Sequence, residues 1–484
     1  MYTINDPLSW PGATAEKPLA AIIVGAGIAG LVLGVGLAQT GHGVTVLERA
    51  QRLEEVGAGI QLAPNASRIL HRLGLLKEVM DNATIIKRNS LRHGKPTLFL
   101  TLVEGRRQET MKRLRYANDE ELGTAPMMPE ASDRYGFPLG VIHRGDLQRI
   151  LLQAAEASGC KILTSHNVVR VDAAFEARVQ VSSGEWFSGD VVFAADGVRS
   201  TIRAQLAACH GLADDSVPTG DAAYRLLIPR EKMEQDERAL ALLNENVGMR
   251  WMGPGGHIMA YPLNNNSLYN MVLLHPAKKD QQSRMDIHMP WTTKGNRDEM
   301  MDFYRNWSPL VRSLLSYVPE DEVLEWTLNS HRPLPHWVKG KLALVGDSCH
   351  PMLPYVAQGA ANAIEDAGAI AAVFTRTDDV SLGLKVYELA RKERGEKIQA
   401  SASHVRHALH LPDGPEQQDR DRAIRAAGRG QGRNPDLWAD VQWRDYMWGV
   451  DVMKEIMESW DGLVQQAEAR CDGRQVLGNT QSRL

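Results

Sequence analysis

In Ala20-Ala-Ile-Ile-Val24-Gly25-Ala-Gly27-Ile-Ala-Gly30, a short apolar strand runs directly into a glycine-rich turn, and an apolar helix follows over about 28–39. Such a turn lets the chain approach a pyrophosphate closely and points the N-terminus of the helix at its phosphates. A second apolar strand, Val44–Leu47, ends in Glu48, 18 residues after the last glycine of the turn. A carboxylate at this place can accept hydrogen bonds from an adenosine ribose. The stretch therefore predicts a βαβ unit that binds a dinucleotide.

Composition restricts the class of protein further. The chain has 484 residues, enough for two or three domains. Its 55 Lys and Arg against 59 Asp and Glu give a net charge of −4, so no basic surface for nucleic acid is expected. Hydrophobic residues make up 43%, which describes a globular protein and excludes wholesale disorder. The uncharged stretch 19–38 has the length of a membrane span, but five glycines interrupt it and favour the strand-turn-helix interpretation.

Neither the cysteines nor the histidines are arranged as metal ligands. The four cysteines lie far apart, form no C-x-x-C pair and are expected to be free thiols in a reducing compartment. His404, His407 and His410 step by three around a helix, with no nearby cysteine or carboxylate ligand set, and are expected to be solvated. The sequence therefore predicts no metal site.

The two ends of the chain have their own patterns. The first 18 residues are polar, contain Pro7 and Pro11, and lack the basic start and apolar run of a signal peptide. The last three residues, Ser482-Arg483-Leu484, are close to the S-K-L peroxisomal address, with a chance tripeptide as the alternative. The expected location is therefore the cytoplasm or the peroxisome.

Apolar strand patterns occur on both sides of a middle region, so the first domain is predicted to be discontinuous. The middle region has strand-like pieces between Gly, Pro and Asn turns, which favours a largely antiparallel domain. A polar, irregular segment precedes it. The predicted parts are a flexible N-terminal arm (1–18), a discontinuous dinucleotide-binding domain (19–92, 141–203 and 335–400), an insertion or lid (93–140), a β-rich substrate domain (204–334) and a C-terminal helical region (401–484).

Two later segments carry information that the first glycine turn lacks, because that turn alone cannot separate NAD from FAD. The strand Val191–Ala194 leads into an Asp196-Gly197 turn, followed by a hydroxyl and two arginines. The strand 342–345 leads into Gly346-Asp347 and continues through prolines, including Pro354, into a helix from about Gly359. Both segments end a strand with an acidic residue, as the first βαβ unit does.

In this order, the segments resemble the class A flavoprotein monooxygenases, the FAD-dependent aromatic hydroxylases typified by para-hydroxybenzoate and salicylate hydroxylases. Two further matches are Gly57-Ala-Gly59-Ile-Gln61 and His143-Arg144-Gly-Asp146-Leu147; for Arg144, a surface salt bridge to Asp146 is the alternative interpretation. His410-Leu-Pro-Asp-Gly414 and the Trp-rich end are most similar to fungal salicylate-hydroxylase-like members. The implied α/β fold has a Rossmann-like FAD-binding domain of the para-hydroxybenzoate hydroxylase type, an inserted β-sheet-rich substrate domain and a C-terminal helical region.

The resemblance implies tightly bound, non-covalent FAD, with NADH or NADPH as a transient co-substrate. It assigns the ADP half of FAD to the first glycine motif and Glu48, and the pyrophosphate and pyridine-nucleotide region to Asp196-Gly197. Asp347 would bind the flavin ribityl or ribose, the helix from Gly359 would aim its amides at the flavin pyrimidine, and Pro354 would lie beside the flavin face. The predicted cofactor-binding residues are Gly25, Gly27, Gly30, Glu48, Arg49, Gly59, Arg144, Asp196, Gly197, Asp347, Gly359 and Ala360.

The implied reaction begins with hydride transfer from NAD(P)H to FAD, and a flavin C4a-hydroperoxide then hydroxylates a phenolic ring. Salicylate, converted to catechol with loss of its carboxylate, is the leading example. The alternative is a biosynthetic enzyme of secondary metabolism that hydroxylates or epoxidises a larger aromatic or indole-type metabolite, which the polar stretch 97–133 favours. A flavin-binding protein without turnover and a flavin reductase are left open. The expected partners are the aromatic substrate, O₂ and NAD(P)H, without nucleic acid or a membrane span, and the chain is a monomer or a homodimer.

Substrate-binding side chains are expected on the inserted β domain. Arg225 is the first choice, because a guanidinium can hold a carboxylate or phenolate through two parallel hydrogen bonds. His257 and Tyr261 are four residues apart, so on a strand they share a face, where they could pass on a phenol proton. Half-buried sheet residues are the alternative interpretation of this pair. The predicted catalytic residues are Arg225, Tyr261, His257, Tyr224 and Pro354, with Arg250 as a further candidate.

Overall fold

The computed structural model describes residues 4, 6, 8–10, 14–53, 59–86, 110–214, 216–278, 292–319 and 322–471. Gly57 of the second glycine motif and the C-terminal Ser482-Arg483-Leu484 lie outside these ranges. Within them, each helix is too short or too polar to span a lipid bilayer.

Strands and helices follow the apolar runs and glycine turns of the sequence closely in the first 60 residues and in 140–210. The strands, in chain order, are β1 (Ala20–Val24), β2 (Gly43–Leu47), β3 (Gly59–Leu62), β4 (Thr110–Arg115), β5 (Glu121–Pro126), β6 (Gly140–His143), β7 (Lys161–Leu163), β8 (Val168–Val171), β9 (Arg178–Val181), β10 (Trp186–Ser188), β11 (Val191–Ala194), β12 (Ser216–Pro229), β13 (Gly248–Gly253), β14 (Gly256–Leu263), β15 (Leu268–Pro276), β16 (Thr292–Lys294), β17 (Leu324–His331), β18 (Val338–Lys339) and β19 (Leu342–Leu344). The helices are α1 (Ile28–Gln39), α2 (Pro64–Arg72), α3 (Leu76–Asn82), α4 (Glu130–Tyr135), α5 (Arg144–Ala157), α6 (Thr201–Cys209), α7 (Arg230–Met233), α8 (Glu237–Asn244), α9 (Arg297–Phe303), α10 (Pro309–Ser316), α11 (Gly359–Phe374), α12 (Val380–Leu409), α13 (Pro415–Ala427), α14 (Val441–Trp448), α15 (Val452–Glu458) and α16 (Trp460–Cys471), with short 3₁₀ turns at Gly346–Ser348, Pro354–Val356 and Leu437–Ala439.

The first sheet has six strands in the order β18-β19-β11-β1-β2-β7. All neighbours are parallel except β18 and β19. Its central strand β1 is buried from Ala21 to Val24, because helices cover a parallel sheet on both faces. α1 packs against α11 so closely that a Cβ on Gly36 would lie 3.0 Å from the Cβ of Ala371. The carboxyl ends of the parallel strands therefore meet at one edge, where ligands bind in open α/β sheets.

The second sheet has eight strands in the order β16-β17-β12-β15-β14-β13-β4-β5, and its neighbours are antiparallel except β13 and β4. Strands β4 and β5 and helix α4 come from the segment 93–140. The described part of that segment is therefore not the irregular loop that its polar composition predicts. Strands near a sheet edge are held by main-chain pairing and need no continuous apolar run, so composition alone does not reveal them.

Two other predicted elements differ in the structure. The apolar spacing of Ile69, Leu70, Leu73, Leu76 and Val79 predicts one helix over 66–79. The structure has two helices there, α2 and α3, because Gly74 adopts a left-handed backbone (φ +76°) between them. The sequence also predicts a single Trp-rich helix over 437–460. The structure instead has a 3₁₀ turn followed by α14 and α15, with α16 starting at the end of this stretch. The N-terminal arm, predicted to be flexible, is fixed at Asp6. Arg72 donates to both carboxylate oxygens of Asp6 at 2.8 Å and also binds Asp451.

A buried ionic network joins α11 to α12. Asp366 accepts hydrogen bonds from Arg391 Nε at 2.8 Å and from His350 Nε2 at 2.6 Å. Glu365 accepts from Arg394 Nη2 at 2.7 Å and also pairs with Arg391. Burial alone would raise the pKa of both carboxyl groups, but the neighbouring cations outweigh it and hold each pKa at about 2. The two helices are therefore joined by charge pairs as well as by apolar contacts.

This network predicts acid sensitivity. Glu365 and Asp366 have a pKa of about 2 in the folded protein, against about 4 in an unfolded chain. Their contribution to the free energy of unfolding is therefore complete above about pH 4 and is lost as the pH falls towards 2. We expect urea unfolding at pH 7, 5, 4 and 3 to show a steeper loss of stability in the wild type than in Glu365→Gln. Parallel pH profiles for the two proteins would contradict this assignment.

Candidate active site

The glycine turn after β1 is shaped by close packing. Gly25 has a φ of +100°, and a Cβ there would lie 2.5 Å from the carbonyl oxygen of Ala195. A Cβ on Gly30 would lie 2.0 Å from the carbonyl oxygen of Gly25. A Cβ on Gly27, by contrast, would meet no atom within 4 Å, and no side chain caps the N-terminus of α1. Free amides beside open space are the arrangement that a pyrophosphate requires.

Glu48 follows β2 and is held by main-chain amides. Its Oε2 accepts a hydrogen bond from Ala26 N at 2.8 Å, and its Oε1 accepts one from Ala50 N at 2.8 Å. The carboxylate is therefore fixed beside the glycine turn, and its remaining lone pairs could accept ribose hydroxyls. The next residue, Arg49, is exposed. Burial of Arg199, together with the charge of Arg49, lowers the pKa of Arg199. Carboxylate and cations thus lie together at this edge of the sheet.

Two further acidic residues follow strands of the first sheet. Asp196 lies between β11 and the N-terminus of α6, and burial raises its pKa to about 6 although the helix start opposes the shift. Gly197 follows it with a φ of +78° and lines a cavity. Asp347 lies in the 3₁₀ turn after β19 and lines the same cavity, where enclosure raises its pKa and the charges of His350 and Arg144 moderate the shift.

This cavity lies between the carboxyl edge of the first sheet and one face of the second sheet, and its volume is about 310 Å³. Arg250, Met259 and Leu274 of the second sheet and Trp438 of the C-terminal region contribute to its wall. Several predicted residues are therefore brought together at this cavity, whereas five others do not line it: Gly25, Gly30, Glu48, Arg49 and Asp196. The predicted residues that line it are Gly27, Gly59, Arg144, Gly197, Arg225, His257, Tyr261, Asp347, Pro354, Gly359 and Ala360.

The N-terminus of α11 forms one wall of the cavity. Gly359 and Ala360, which begin this 16-residue helix, both line it. No side chain caps the helix start, and its first turn holds no acidic residue. The helix dipole therefore favours negative charge at this wall. Ala357, just before it, adopts a left-handed backbone (φ +52°), which bends the chain from the Pro354–Val356 turn into the helix.

Gly59 is fixed by two residues of the second sheet. Its amide donates to Asn270 Oδ1 at 3.2 Å, and its carbonyl oxygen accepts the hydroxyl proton of Tyr261 at 2.8 Å. A Cβ on Gly59 would lie 2.7 Å from the Tyr261 ring, so a glycine is needed here. Burial raises the pKa of Tyr261 to about 12, against the charge of Arg225. The Tyr261 hydroxyl is therefore engaged with Gly59, while the transfer of a phenol proton by Tyr261 and His257 stays a prediction.

Arg225 projects from β12 into the cavity. Its guanidinium lies over the Trp326 ring, with Cζ 4.3 Å from the centroid, and its buried Nε makes no hydrogen bond. Burial and the charge of Arg144 lower its pKa. Among the described residues no carboxylate pairs with it, whereas Arg250 binds Asp436 at 2.8 Å. The cavity therefore contains a cation suited to an anionic ligand.

Tyr224 does not line the cavity. It is buried in the second core, on the opposite face of β12 from Arg225, and its ring stacks on His275 at a centroid distance of 4.1 Å. Successive side chains of a strand point to opposite faces, so Tyr224 and Arg225 cannot both face the cavity. The structure therefore places Tyr224, predicted to be catalytic, away from the cavity.

The histidines also differ from the prediction. His404 and His407 are exposed, but His410 is largely buried and its Nε2 lies 2.8 Å from Nδ1 of His257. Burial lowers the pKa of His410 to about 4. Burial, His410 and Arg250 lower the pKa of His257 well below its usual value. Both rings are therefore neutral at neutral pH, and His410 contacts a residue that lines the cavity.

Within the described ranges, one group of residues has ligand atoms close enough for a metal ion, namely Cys349, His350 and Asp366. Both oxygens of Asp366 already bind His350 and Arg391, and the Cys349 thiol donates to the Gly346 carbonyl oxygen at 3.1 Å. The group is part of the ionic network between α11 and α12. Its hydrogen bonds account for its geometry without an ion.

Residues 19–402 match the sequence model of the FAD binding domain family. The chain belongs to this family. It is 38% identical over 440 residues to the FAD-dependent monooxygenase atnJ of Arthrinium sp, an alignment that covers 90% of this chain and 94% of that protein. It is 32% identical over 387 residues to 3-hydroxybenzoate 6-hydroxylase 1 of Aquipseudomonas alcaligenes, covering 79% and 88%.

The fold is similar to that of a solved salicylate hydroxylase substrate complex, with a TM-score of 0.72 at 22% identity over 94% of this chain and 98% of that one. The protein is an FAD-dependent monooxygenase, and the resemblance inferred from the motifs is confirmed. The glycine turn, the open space at Gly27 and the uncapped start of α11 fit its cofactor, FAD.

Glu48 offers a direct test of the cofactor site. In Glu48→Ala, we expect FAD to bind at least about 10-fold more weakly, because hydrogen bonds to a charged group contribute about 1.5–3 kcal/mol. The variant also frees the amides of Ala26 and Ala50. Titration of apoprotein with FAD, followed by flavin fluorescence, measures the effect. Glu156→Ala, at an exposed position on α5, is the control. Equal FAD affinity in the wild type and Glu48→Ala would contradict the expectation.

Proposed function

We propose that this monooxygenase uses NADH or NADPH and O₂ to hydroxylate a phenolic acid, with salicylate, converted to catechol, as the leading candidate. The observation that carries the proposal is Arg225, a guanidinium in the cavity without a carboxylate partner among the described residues. A substrate carboxylate would pair with it through two parallel hydrogen bonds. The names of two relatives support this chemistry, since 3-hydroxybenzoate and 3-amino-4-hydroxybenzoate both carry a carboxylate and a ring hydroxyl.

FAD would lie along the carboxyl edge of the first sheet. The Gly25–Gly30 turn and the N-terminus of α1 would hold its pyrophosphate, Glu48 its adenosine ribose and Asp347 its ribityl chain. The N-terminus of α11 would face the pyrimidine edge of the flavin, where negative charge gathers on reduction, with Pro354 beside the ring. Bound FAD supplies the redox chemistry with NAD(P)H and O₂. The residues of the chain bind it, orient it and surround the substrate.

On the substrate side, three functions fall to different residues. Arg225 would bind the carboxylate and, through its charge, favour the ionised phenol. The apolar side chains of Met259, Leu274 and Trp438 would exclude water from the reacting ring. His257, a neutral base that lines the cavity, would accept the phenol proton.

A larger aromatic metabolite of secondary metabolism is the second candidate. The apolar side chains of the cavity favour it, since they would pack against a larger aromatic molecule: Met259, Val272, Leu274, Leu353 and Trp438. The 38% identity to a fungal monooxygenase is also higher than the identity to the hydroxybenzoate hydroxylases. In this case Arg225 would bind an acidic group of the larger molecule.

The test is turnover by the purified holoenzyme. Oxidation of NADH and of NADPH is followed with and without salicylate and 3-hydroxybenzoate, under ¹⁸O₂, and products are identified by mass. Catechol carrying one ¹⁸O atom from salicylate supports the leading candidate. Bound flavin without stimulation by either acid contradicts the phenolic-acid proposal and favours the larger metabolite. Stimulated oxidation with no labelled product would also contradict the proposal, since the acid then promotes oxidation of NAD(P)H without being hydroxylated.

A further inference from the structure

Two cavities are connected through a pair of histidines. His257 lines the substrate cavity, and His410 lines a second cavity of about 290 Å³ at the surface. The two rings are in hydrogen-bond contact, with Nδ1 of His257 2.8 Å from Nε2 of His410. Asp221 and Arg406 line the second cavity beside His410. A continuous line of titratable groups therefore runs from the substrate cavity to solvent.

The backbone holds the two rings in place. His410 caps the C-terminal end of the 30-residue helix α12, and its carbonyl oxygen accepts the amide of Gly255 at 3.0 Å. Gly255 has a φ of +70° and lies in the turn between β13 and β14, two residues before His257. A Cβ on Gly256 would lie 2.2 Å from the Leu274 carbonyl oxygen, so this turn is tightly packed. The helix end and the strand start are thus fixed to each other.

Asp221 determines which histidine donates and which accepts in the hydrogen bond between His257 and His410. Its Oδ2 lies 3.9 Å from Nδ1 of His410, and its carboxylate is held by Arg406, which donates to Oδ1 at 2.6 Å, and by the Tyr355 hydroxyl. A carboxylate on this side favours the tautomer of His410 that carries its proton on Nδ1. Nε2 of His410 is then the acceptor for Nδ1–H of His257. This leaves Nε2 of His257 unprotonated, and it makes no hydrogen bond to the described part of the chain.

We propose that His257 and His410 form a proton relay that carries the proton of a phenolic substrate from the substrate cavity to solvent in the second cavity. The relay rests on the proposed function. The phenol oxygen gives its proton to Nε2 of His257, and Nδ1 of His257 gives its proton to Nε2 of His410. Nδ1 of His410 then releases a proton towards Asp221 and the water of the second cavity. One proton enters, one leaves, and no redox partner is needed.

The groups around the two histidines favour neutral rings that pass on a proton over a permanently protonated histidine. The groups facing the two rings are Arg250 on β13, Asp221 on β12, the Tyr355 hydroxyl and Arg406 on α12. Burial lowers the pKa of both histidines, so each ring is neutral and can accept and donate in turn. Tyr261 also lines the substrate cavity, but its hydroxyl donates to the Gly59 carbonyl oxygen. The histidine pair is therefore the route that the side chains provide.

His410→Gln tests the relay, because glutamine can keep a hydrogen bond to His257 but cannot pass a proton on. His407→Gln is the matched control: His407 lies one turn earlier on α12 and lines the second cavity, but it binds Glu416 and does not contact His257. The holoenzymes are compared for FAD content and for the rate of hydroxylated product from salicylate and from 3-hydroxybenzoate, in H₂O and in D₂O, from pH 6 to pH 9. His410→Gly is also assayed with added imidazole.

We expect product formation in His410→Gln to fall at least about 10-fold, with normal FAD content. The rate of product formation in His410→Gln should rise with pH, because hydroxide then replaces the relay. Its solvent isotope effect should differ from that of the wild type. Added imidazole should restore product formation in His410→Gly. A wild-type rate and isotope effect in His410→Gln, or an equal loss in His407→Gln, would overturn the relay alone. Absence of phenolic-acid turnover in the wild type would overturn the proposed function and the relay with it.

Discussion

Replacement of Arg225 by alanine is expected to lower kcat/KM for a phenolic acid about 100-fold, with FAD content unchanged. Hydrogen bonds to a charged group contribute about 1.5–3 kcal/mol, and about 1.4 kcal/mol corresponds to a factor of ten. The guanidinium lies over Trp326 and has no carboxylate partner among the described residues, so a substrate carboxylate would pair with it without competition. Product formation from salicylate and 3-hydroxybenzoate measures the effect.

Two controls separate recognition of the carboxylate from general damage to the site. Arg225→Lys keeps the charge but cannot form the bidentate pair, so kcat/KM is expected to fall by an intermediate factor of about 10. Unsubstituted phenol lacks the carboxylate, so Arg225→Ala should lower its turnover much less than the turnover of the two acids, through the lost effect of the charge on the phenol alone. An unchanged kcat/KM for both acids in Arg225→Ala would show that another residue binds the substrate.

The first domain could be predicted from the sequence because its signals are local. The glycine turn, the strand before it and Glu48 lie within 29 residues, and the structure places them in one βαβ unit. The register of β4 against β13 had no such signal, since these strands pair across more than 130 residues of chain. Local polarity therefore described the segment 93–140 as a loop, although tertiary pairing makes part of it sheet.

The candidate active site could likewise be predicted only where its signals are local in the sequence. Alternation along β12 could have excluded Tyr224, because its neighbour Arg225 was already assigned to the cavity. The contact of His257 with His410 spans 153 residues, and that of Arg250 with Asp436 spans 186. Such pairs depend on how α12 and the C-terminal region fold back over the second sheet. No pattern within either segment indicates its partner.

Replacement of Arg391 by methionine is expected to lower the free energy of unfolding by about 3–5 kcal/mol, because it removes one cationic partner from each of two buried carboxylates, Glu365 and Asp366. Arg391 is fully buried and binds Asp366, Glu365 and the Asn362 side chain. Urea unfolding of the FAD-saturated protein measures the loss. Lys392→Met is the matched control, since Lys392 is next on α12 and makes a partly exposed pair with Glu396, for which a change below about 1 kcal/mol is expected.

The pH dependence distinguishes lost charge pairing from lost packing. In the wild type, Glu365 and Asp366 keep a pKa of about 2, so their contribution is present at pH 7 and declines only below about pH 4. Without Arg391 their pKa rises, and protonation relieves the uncompensated charge. The stability difference between Arg391→Met and the wild type should therefore narrow from pH 7 to pH 3. Because α11 begins at the cavity wall, FAD should also dissociate faster from the variant at pH 7. A difference as large at pH 3 as at pH 7 would instead indicate that the variant loses packing between α11 and α12.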